Sequence, residues 1–307
     1  MRDILLDYVM KVDVLAPIPP ASTSYLRKVL CVVKPLPDGE TGTITECTDK
    51  TSIQSKTNAQ CWKLLDAGLN SVYVLPTNTL DIADILAETK YKFFTILIDG
   101  AFDTVEDFDY GNFEGVVGWT KESRAEMSDF ATLRKNVGFY DLTSNMSENM
   151  YWAFGKLLSA NNWRNQQYIE MPKGSGIDTI NEAELMFDDR VSFVLSSEEY
   201  SHRLALFSSA GKAIVAPYLT EELIINLQST ATRFIQLNQP AYTPINASLL
   251  EDALQGVIDG YIERGEITYG EIEVELTGEQ FVANANASID EPKALWRLKA
   301  TIKQGDI

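Results

Sequence analysis

Short apolar runs alternate with stretches of helical period from residue 29 to residue 195, and this alternation limits the fold more than any other feature. The apolar runs are rich in β-branched residues and are bounded by turn residues, as buried strands are. The predicted strands are residues 29–33, 71–75, 93–98, 115–118, 137–140, 167–170 and 191–195. The helices predicted between them are residues 58–67, 80–88, 121–135, 147–160 and 180–187. Strands joined by helices in this way predict an α/β body with a mostly parallel sheet that is covered on both faces.

The pattern changes after residue 196, where helices come first and strands follow. Helices are predicted at residues 200–209, 221–237 and 248–264, and strands at 271–276, 280–287 and 294–302. Ser248 and Glu251 fit a capping box that opens the third of these helices, and Gly265 is placed to end it. This order predicts an α+β C-terminal domain whose closing strands are antiparallel.

Both ends of the chain are predicted to be extended arms. Pro17, Pro19 and Pro20 stand beside a Ser/Thr cluster at 22–24, and this composition disfavours regular packed structure. The expected division is an N-terminal arm over 1–24, an α/β domain over 25–196, an α+β domain over 197–291 and a C-terminal strand or arm over 292–307.

The charge of the chain opposes binding to nucleic acid. Its 44 acidic residues outnumber 26 basic ones, so the formal net charge is −18 and a phosphate backbone would be repelled. Basic residues are scattered, and their densest run lies at 293–303. We therefore expect no direct contact with nucleic acid.

Neither a membrane span nor a metal site is expected from the sequence. No apolar run approaches the roughly 18 residues that cross a bilayer, and the acidic N-terminus does not fit a signal peptide. Maturation in the cytoplasm is the expectation. Cys31, Cys47 and Cys61 lack metal-ligand spacing, so they are predicted to be ordinary thiols.

Residues able to carry catalysis are scarce. His202 is the single histidine, and general-base chemistry at neutral pH usually uses histidine. It lies near Leu204 and Phe207 on a predicted helix, where packing or surface exposure accounts for it. The phosphate-binding patterns G-x-x-x-x-G-K-S/T and G-x-G-x-x-G are absent, and residues 173–176 (KGSG) are read as a surface loop. We expect no enzymatic activity, no catalytic residue and no cofactor.

Acidic residues follow one predicted strand at the edge where open α/β sheets bind ligands. Asp99 and Asp103 end the strand 93–98, and Glu106, Asp107 and Asp109 follow them. Their oxygens are suitable ligands for a hard cation, but the D-x-D-x-D-G pattern is absent. We therefore predict no metal and interpret residues 99–109 as an acidic surface or interface loop.

Three segments of the C-terminal half carry a family resemblance. They are residues 202–217 (HRLALFSSAGKAIVAP), 249–265 (LLEDALQGVIDGYIERG) and 294–302 (ALWRLKATI). Together they resemble the closing domain of contractile phage tail sheath proteins, over roughly residues 200–307. In that family an α/β body precedes a C-terminal domain that lines the inside of the sheath, and extended arms add strands to neighbouring subunits. Many members are longer, so this chain would be a near-minimal version.

The resemblance implies a structural subunit of the virion tail that polymerises around a tail tube and contracts during DNA delivery. The implied partners are further copies of the chain, in a helical homo-oligomer of stacked hexameric rings, the tail tube protein, and the baseplate and tail terminator proteins. The subunit would be assembled in the host cytoplasm.

Charge alternation marks candidate interface residues in two predicted strands. Glu271, Glu273 and Glu275 share one face of the strand 271–276, whose other face is apolar. The last strand has a basic face and an apolar face, so the two strands suit one sheet, within a subunit or between two. The predicted inter-subunit residues are Glu271, Glu273, Glu275, Leu295, Trp296, Arg297, Leu298 and Lys299.

Two other functions remain open at this point. One is another tail component of the virion, such as a baseplate or tail terminator protein. The other is an α/β ligand-binding protein or enzyme that uses the carboxyl ends of its strands; the scarcity of histidine and the missing phosphate loop disfavour it.

Overall fold

The structure is a computed structural model. It describes residues 11–12, 23–103, 111, 113, 115–131, 136–140, 146–159, 168–172, 176–177, 179–195, 203–205, 215–238, 240–277 and 280–288. These residues group into two compact units. The α/β unit contains the described residues from 24 to 217, and the C-terminal unit contains those from 218 to 292 together with residues 11–12 and 23.

The secondary structure of the described residues follows the predicted alternation. The strands are β1 (Lys11–Val12), β2 (Val29–Val33), β3 (Thr45–Cys47), β4 (Val72–Pro76), β5 (Thr95–Ile98), β6 (Val116–Lys121), β7 (Asn136–Tyr140), β8 (Tyr168–Glu170), β9 (Ser192–Leu195), β10 (Arg203–Ala205), β11 (Tyr269–Thr277) and β12 (Gln280–Ser288). The helices are α1 (Lys50–Gln54), α2 (Lys63–Asp66), α3 (Ala83–Glu88), α4 (Arg124–Ala131), α5 (Met146–Ser159), α6 (Ile180–Asp188), α7 (Val215–Asn238) and α8 (Pro244–Glu263), and a 3₁₀ turn spans Thr23–Arg27.

The described strands of the α/β unit form one sheet, called here the large sheet, in the order β3-β4-β2-β5-β6-β7-β9-β10-β8. The run from β4 to β9 is parallel throughout. Strand β3 is antiparallel to β4, and β10 is antiparallel to both β9 and β8. The prediction of a mostly parallel sheet is therefore confirmed.

Both faces of the large sheet are covered. All side chains of β2, β4 and β5 are buried, which explains why these strands read as continuous apolar runs. On one face, Ile96 and Val117 belong to an apolar cluster that includes Met127 of α4 and Met186 of α6. On the other face α5 approaches so closely that a Cβ at Gly118 would lie 3.1 Å from the Cε2 of Phe154.

In the C-terminal unit, the helices α7 and α8 and a small sheet share one apolar core. The small sheet has the order β1-β12-β11 among the described residues, with β11 antiparallel to β12 and β1 parallel to it. Its core cluster contains Leu223 of α7, Leu254 and Ile258 of α8, and Ile272 and Phe281 from beneath the sheet. The predicted α+β character and the antiparallel closing hairpin are confirmed.

Two local predictions are wrong. The helix expected over 200–209 is replaced at Arg203–Ala205 by β10, because pairing with β8 and β9 overrides the helix propensity of these residues. Helix α8 begins at Pro244, not at Ser248, because the Thr243 side chain caps it by accepting a bond from Asn246 N at 3.3 Å. The capping box is therefore absent.

Several other predictions changed in extent or lie outside the described residues. The helix expected over 58–67 is reduced to α2, and the helix expected over 121–135 gives up Lys121 to β6. Strand β3 and helix α1 were not predicted. The predicted arms lie outside the described residues, except for 11–12 and 23–24, and so does the strand 294–302. No described helix combines the length and the apolar character needed to cross a bilayer.

Replacing Gly155 by alanine is expected to destabilise the α/β unit. A Cβ there would lie 2.6 Å from the Cβ of Ala67 and 3.1 Å from the Cα of Leu64, so α5 and α2 would have to move apart. Overpacking of this kind costs about 1–3 kcal/mol. The measurement is the free energy of unfolding in urea.

The matched control is Gly256→Ala in α8, where no atom lies within 4 Å of the added Cβ. Higher helix propensity should there leave stability unchanged or raise it by up to about 1 kcal/mol. Equal effects of the two substitutions would contradict the close packing of α5 on α2.

Candidate functional site

The first candidate site is the carboxyl edge of the large sheet at β2 and β5. The strand order reverses at β2, because β4 lies on one side of it and β5 on the other, and open α/β sheets bind ligands at such a point. Lys34, directly after β2, donates from Nζ to the carbonyl oxygen of Asn78 at 3.4 Å. The same nitrogen lies 4.2 Å from the centre of the buried Phe102 ring. The Nζ of Lys34, which would bind an anionic ligand at this edge, is therefore already engaged by other groups of the protein.

Asp99 lies at the end of β5 and is buried, with 7% of its surface exposed. Its Oδ2 accepts a hydrogen bond from the Tyr151 hydroxyl at 3.1 Å, and its Oδ1 accepts one from Ala101 N at 3.0 Å. The prediction of a surface position is therefore wrong for Asp99, although Asp103 is exposed. Residues 104–110 lie outside the described residues.

Helix α5 and strand β6 hold the backbone around Asp99 in place. Gly100 N donates to the Ser147 Oγ at 2.9 Å, and Lys121 Nζ donates to the Gly100 carbonyl at 3.0 Å. Burial, and then the nearby charge of Asp99, raise the pKa of Tyr151 well above its ordinary value, which keeps the hydroxyl protonated as a donor. Because donors from the protein satisfy both carboxylate oxygens, this edge forms a polar part of the core.

Neither the cysteines nor the acidic residues form a reactive cluster in the part of the chain that the structure describes. Cys31, Cys47 and Cys61 are free and buried. Burial, and then contact with Cys61, raise the pKa of Cys31, so its thiol is a poor nucleophile. No group of three His, Cys, Asp or Glu side chains suited to a metal ion occurs among the described residues.

The second candidate site is the small sheet of the C-terminal unit. Glu271, Glu273 and Glu275 are exposed on the outer face of β11, whereas Ile272 and Val274 are each 8% exposed on the face toward α8. The predicted alternation of β11 is confirmed. The predicted partner residues Leu295, Trp296, Arg297, Leu298 and Lys299 lie outside the described residues.

Helix α8 bonds to the edge of β11 that faces away from β12, called here the outer edge of β11. Val274 N donates to the Glu251 Oε2 at 2.8 Å, and Ile272 N donates to the Gln255 Oε1 at 3.1 Å. The Gln255 Nε2 in turn donates to the carbonyl of Gly270 at 3.2 Å. These bonds were not predicted, because Glu251 fitted a helix cap and nothing in the sequence relates α8 to this edge.

Exposed apolar side chains mark the connection between α7 and α8. Ile245 is 74% exposed and Leu237 is 71% exposed, and Tyr242 and Leu249 are also exposed. The ring of Tyr242 lies 5.2 Å from that of Phe281, centre to centre, and so joins this region to the small sheet. Exposed apolar side chains grouped in this way are typical of protein interaction surfaces.

Comparison of the sequence with protein-family models and with curated proteins gave no match. The structure matches several solved structures, among them two chains of the anti-feeding prophage. A chain of the anti-feeding prophage baseplate aligns with a TM-score of 0.58 and 10% identity, over 90% of this chain and 93% of its own length. A chain of the anti-feeding prophage helical sheath in its contracted state aligns with a TM-score of 0.54 and 11% identity, over 92% and 97%. The chain therefore has the fold of contractile tail sheath proteins, the fold that the resemblance implied.

Substituting Asp99 by asparagine is expected to lower the free energy of unfolding by about 1–3 kcal/mol, because one donor to the carboxylate would face an amide NH₂ group. Asp103→Asn, at the exposed neighbour, should leave stability unchanged. Urea denaturation of both variants checks this. Equal stability of the two variants would show that the bond from Tyr151 to Asp99 contributes nothing.

The protein is expected to lose stability above pH 10. The folded-state pKa of Tyr151 is raised above the ordinary 10.0. Its contribution to the free energy of unfolding is therefore complete below pH 10 and falls above it, because Tyr151 of the unfolded chain then loses its proton. A single such group gives a slope of about 1.4 kcal/mol per pH unit. Tyr151→Phe should reduce the slope of unfolding free energy against pH by this amount, and an unchanged slope would refute the role of Tyr151.

Proposed function

We propose that the chain is a structural subunit of a contractile phage tail sheath, which polymerises around a tail tube and contracts during DNA delivery. The observation that carries this proposal is the likeness to a chain of a helical sheath in its contracted state, which extends over 92% of this chain and 97% of the other. Both compact units therefore take part in it. Because fold alone does not define function, the surfaces of the chain also bear on this proposal.

Two features of the structure support this proposal. The exposed apolar side chains between α7 and α8 would be covered by a neighbouring protein. At the carboxyl edge of the large sheet, both carboxylate oxygens of Asp99 accept hydrogen bonds from the protein, and Lys121 donates to the carbonyl of Gly100, so these groups are engaged within the protein and not free for a ligand. Both features favour a structural protein over an enzyme.

The proposed partners follow from this role. They are further copies of the chain in a helical homo-oligomer of stacked hexameric rings, a tail tube protein, and baseplate and tail terminator proteins, in the virion tail. In this proposal the α/β domain, predicted over 25–196, ends with its compact unit at residue 217, because β10 belongs to the large sheet, and the C-terminal sheath domain, predicted over 197–291, begins at residue 218. The arms over 1–24 and 292–307 connect subunits.

The C-terminal arm is proposed to add its strand, residues 294–302, to a sheet shared between subunits. A terminal strand with one apolar face is a ready template for strand addition. Its proposed interface residues are Leu295, Trp296, Arg297, Leu298 and Lys299, together with Glu271, Glu273 and Glu275 of the sheet.

A baseplate component is the second candidate. The observation that favours it is the likeness to a chain of the anti-feeding prophage baseplate, whose TM-score of 0.58 exceeds the 0.54 of the sheath chain. Electron microscopy of the purified protein separates the two functions. Helical tubes or contracted cylinders support the sheath subunit, whereas closed rings alone support the baseplate component.

Truncation after Pro292 is expected to abolish tube formation and to leave the circular dichroism spectrum nearly unchanged. Each main-chain hydrogen bond of an added strand contributes only about 1 kcal/mol, but these bonds and the burial of Trp296 and Leu298 recur at every subunit. Tube length is measured by electron microscopy. Tubes of normal length from a folded, truncated chain would contradict strand addition.

The matched control is the full-length double variant Arg297→Glu and Lys299→Glu, which keeps the strand and changes only its charges. Exposed ion pairs contribute under about 1 kcal/mol each and are screened by salt, so assembly should weaken only moderately.

A further inference from the structure

We infer that the small sheet accepts a strand from a second copy of the chain on the β12 side only, because α8 closes the outer edge of β11. The inference rests on the proposed function, which supplies the second copy and its strand 294–302. It adds which edge receives that strand and which residues determine the choice.

Two side chains of α8 take the place of a neighbouring strand at β11. Gln255 accepts from Ile272 N and donates to the carbonyl of Gly270, at 3.1 and 3.2 Å, as the peptide group of an added strand would. Glu251 accepts from Val274 N at 2.8 Å. One helical turn rises about 5.4 Å and two strand residues about 6.8 Å, so side chains four apart on α8 can reach alternate residues of β11. The N–H groups of Ile272 and Val274 and the carbonyl of Gly270, which a new strand would need at this edge, are therefore engaged.

The geometry of the antiparallel ladder leaves the edge of β12 that faces away from β11 as the place where a strand can be added. Since Ile272 and Val274 direct their N–H groups toward α8, the residues between them bond to β12, where Glu273 pairs with Asn284. The alternate residues of β12, among them Ala285, then direct their N–H and C=O groups away from β11. Within the described part of the chain, β1 pairs with β12 only at Val282 and Ala283.

The side chains beside this part of β12 match the apolar face of the predicted C-terminal strand. Ala283 is 2% exposed, but Ala285, on the same face two residues later, is exposed. The apolar layer between the small sheet and α8 therefore ends at Ala285. A strand added there would place Trp296 or Leu298 against the end of this layer and continue it, while its basic residues would lie on the solvent side with Glu273.

The two edges differ in the neighbours that an added strand would have. Adjacent strands lie about 4.8 Å apart, so a strand on the β12 side is about 9.6 Å or more from β11. A disulfide needs Cα atoms within about 7 Å, so it can join adjacent strands but not strands two positions apart. Disulfide trapping can therefore identify the edge that is used.

The experiment co-assembles single-cysteine variants of the full-length chain and oxidises the resulting tubes with diamide. The three native cysteines are buried, and each variant assembled alone provides the background. One variant is Lys299→Cys, on the basic face of the predicted strand. Its partners are, on β12 and beyond the residue pair Val282 and Ala283 that β1 occupies, Asn284→Cys, Asn286→Cys and Ser288→Cys, and, on β11, Glu271→Cys, Glu273→Cys and Glu275→Cys.

We expect covalent dimers when Lys299→Cys is combined with the β12 variants (the β12 set). With the β11 variants (the β11 set) we expect only the background level of dimers. The three positions on β12 cover the registers that place the added strand beside Ala285. Dimers with the β11 set would overturn the inference, and so would tubes in which neither set forms dimers. Failure of the unsubstituted chain to form tubes would instead refute the proposed function.

A second measurement tests the closed edge in the unassembled chain and does not depend on tubes. The double variant Glu251→Ala and Gln255→Ala should accelerate hydrogen exchange at the amides of Ile272 and Val274 roughly tenfold. Asp252→Ala, at an exposed neighbour on the same helix, is the control and should leave both rates unchanged. Equal exchange in the double variant and the control would show that α8 does not close this edge.

In tubes of the double variant Glu251→Ala and Gln255→Ala, covalent dimers should also form with the β11 set, because the outer edge of β11 then offers free N–H groups. Trapping that stays confined to the β12 set would overturn the role of Glu251 and Gln255 in choosing the edge.

Discussion

Burial of both faces of the large sheet is the constraint on which the α/β unit depends. Every side chain of β2, β4 and β5 is buried, so helices must cover the sheet on both sides, and a buried carboxylate such as that of Asp99 requires hydrogen-bond partners. Asp99 meets this requirement through Tyr151 and Ala101. The edge of the sheet that holds a ligand in many α/β proteins is here part of the packing between β5 and α5.

Helix α8 has the corresponding importance in the C-terminal unit. Leu250, Leu254 and Ile258 lie one turn apart and pack beneath the small sheet. Glu251 and Gln255 follow Leu250 and Leu254 by one residue each, which turns them to the side where β11 ends. The same packing that stabilises the sheet therefore brings these polar groups to its edge, so stability and the choice of edge depend on one helix.

The likeness to the anti-feeding prophage chains extends over at least 90% of this chain at 10–11% identity. The layers and the connections of the fold are thus shared, although few individual residues are. Layered folds tolerate such divergence because burial and periodicity, more than particular side chains, determine them. Differences in role between subunits of this fold must then lie in their surfaces, such as the apolar side chains between α7 and α8 and the edges of the small sheet.

The sequence by itself determined the elements whose signal is local. Continuous apolar runs identified β2, β5 and β9, and strict alternation identified β11 with its glutamates on one face. Burial on two faces produces a continuous apolar run in the sequence, and burial on one face produces alternation. Arg203–Ala205 shows neither pattern, since its residues favour helix and only pairing with β8 and β9 makes them a strand. Asp99 and Tyr151 are 52 residues apart, and Glu251 and Val274 are 23 apart. Their hydrogen bonds depend on how the helices pack against the sheets, so only the tertiary structure could decide that the aspartate is buried and that the edge of β11 is closed.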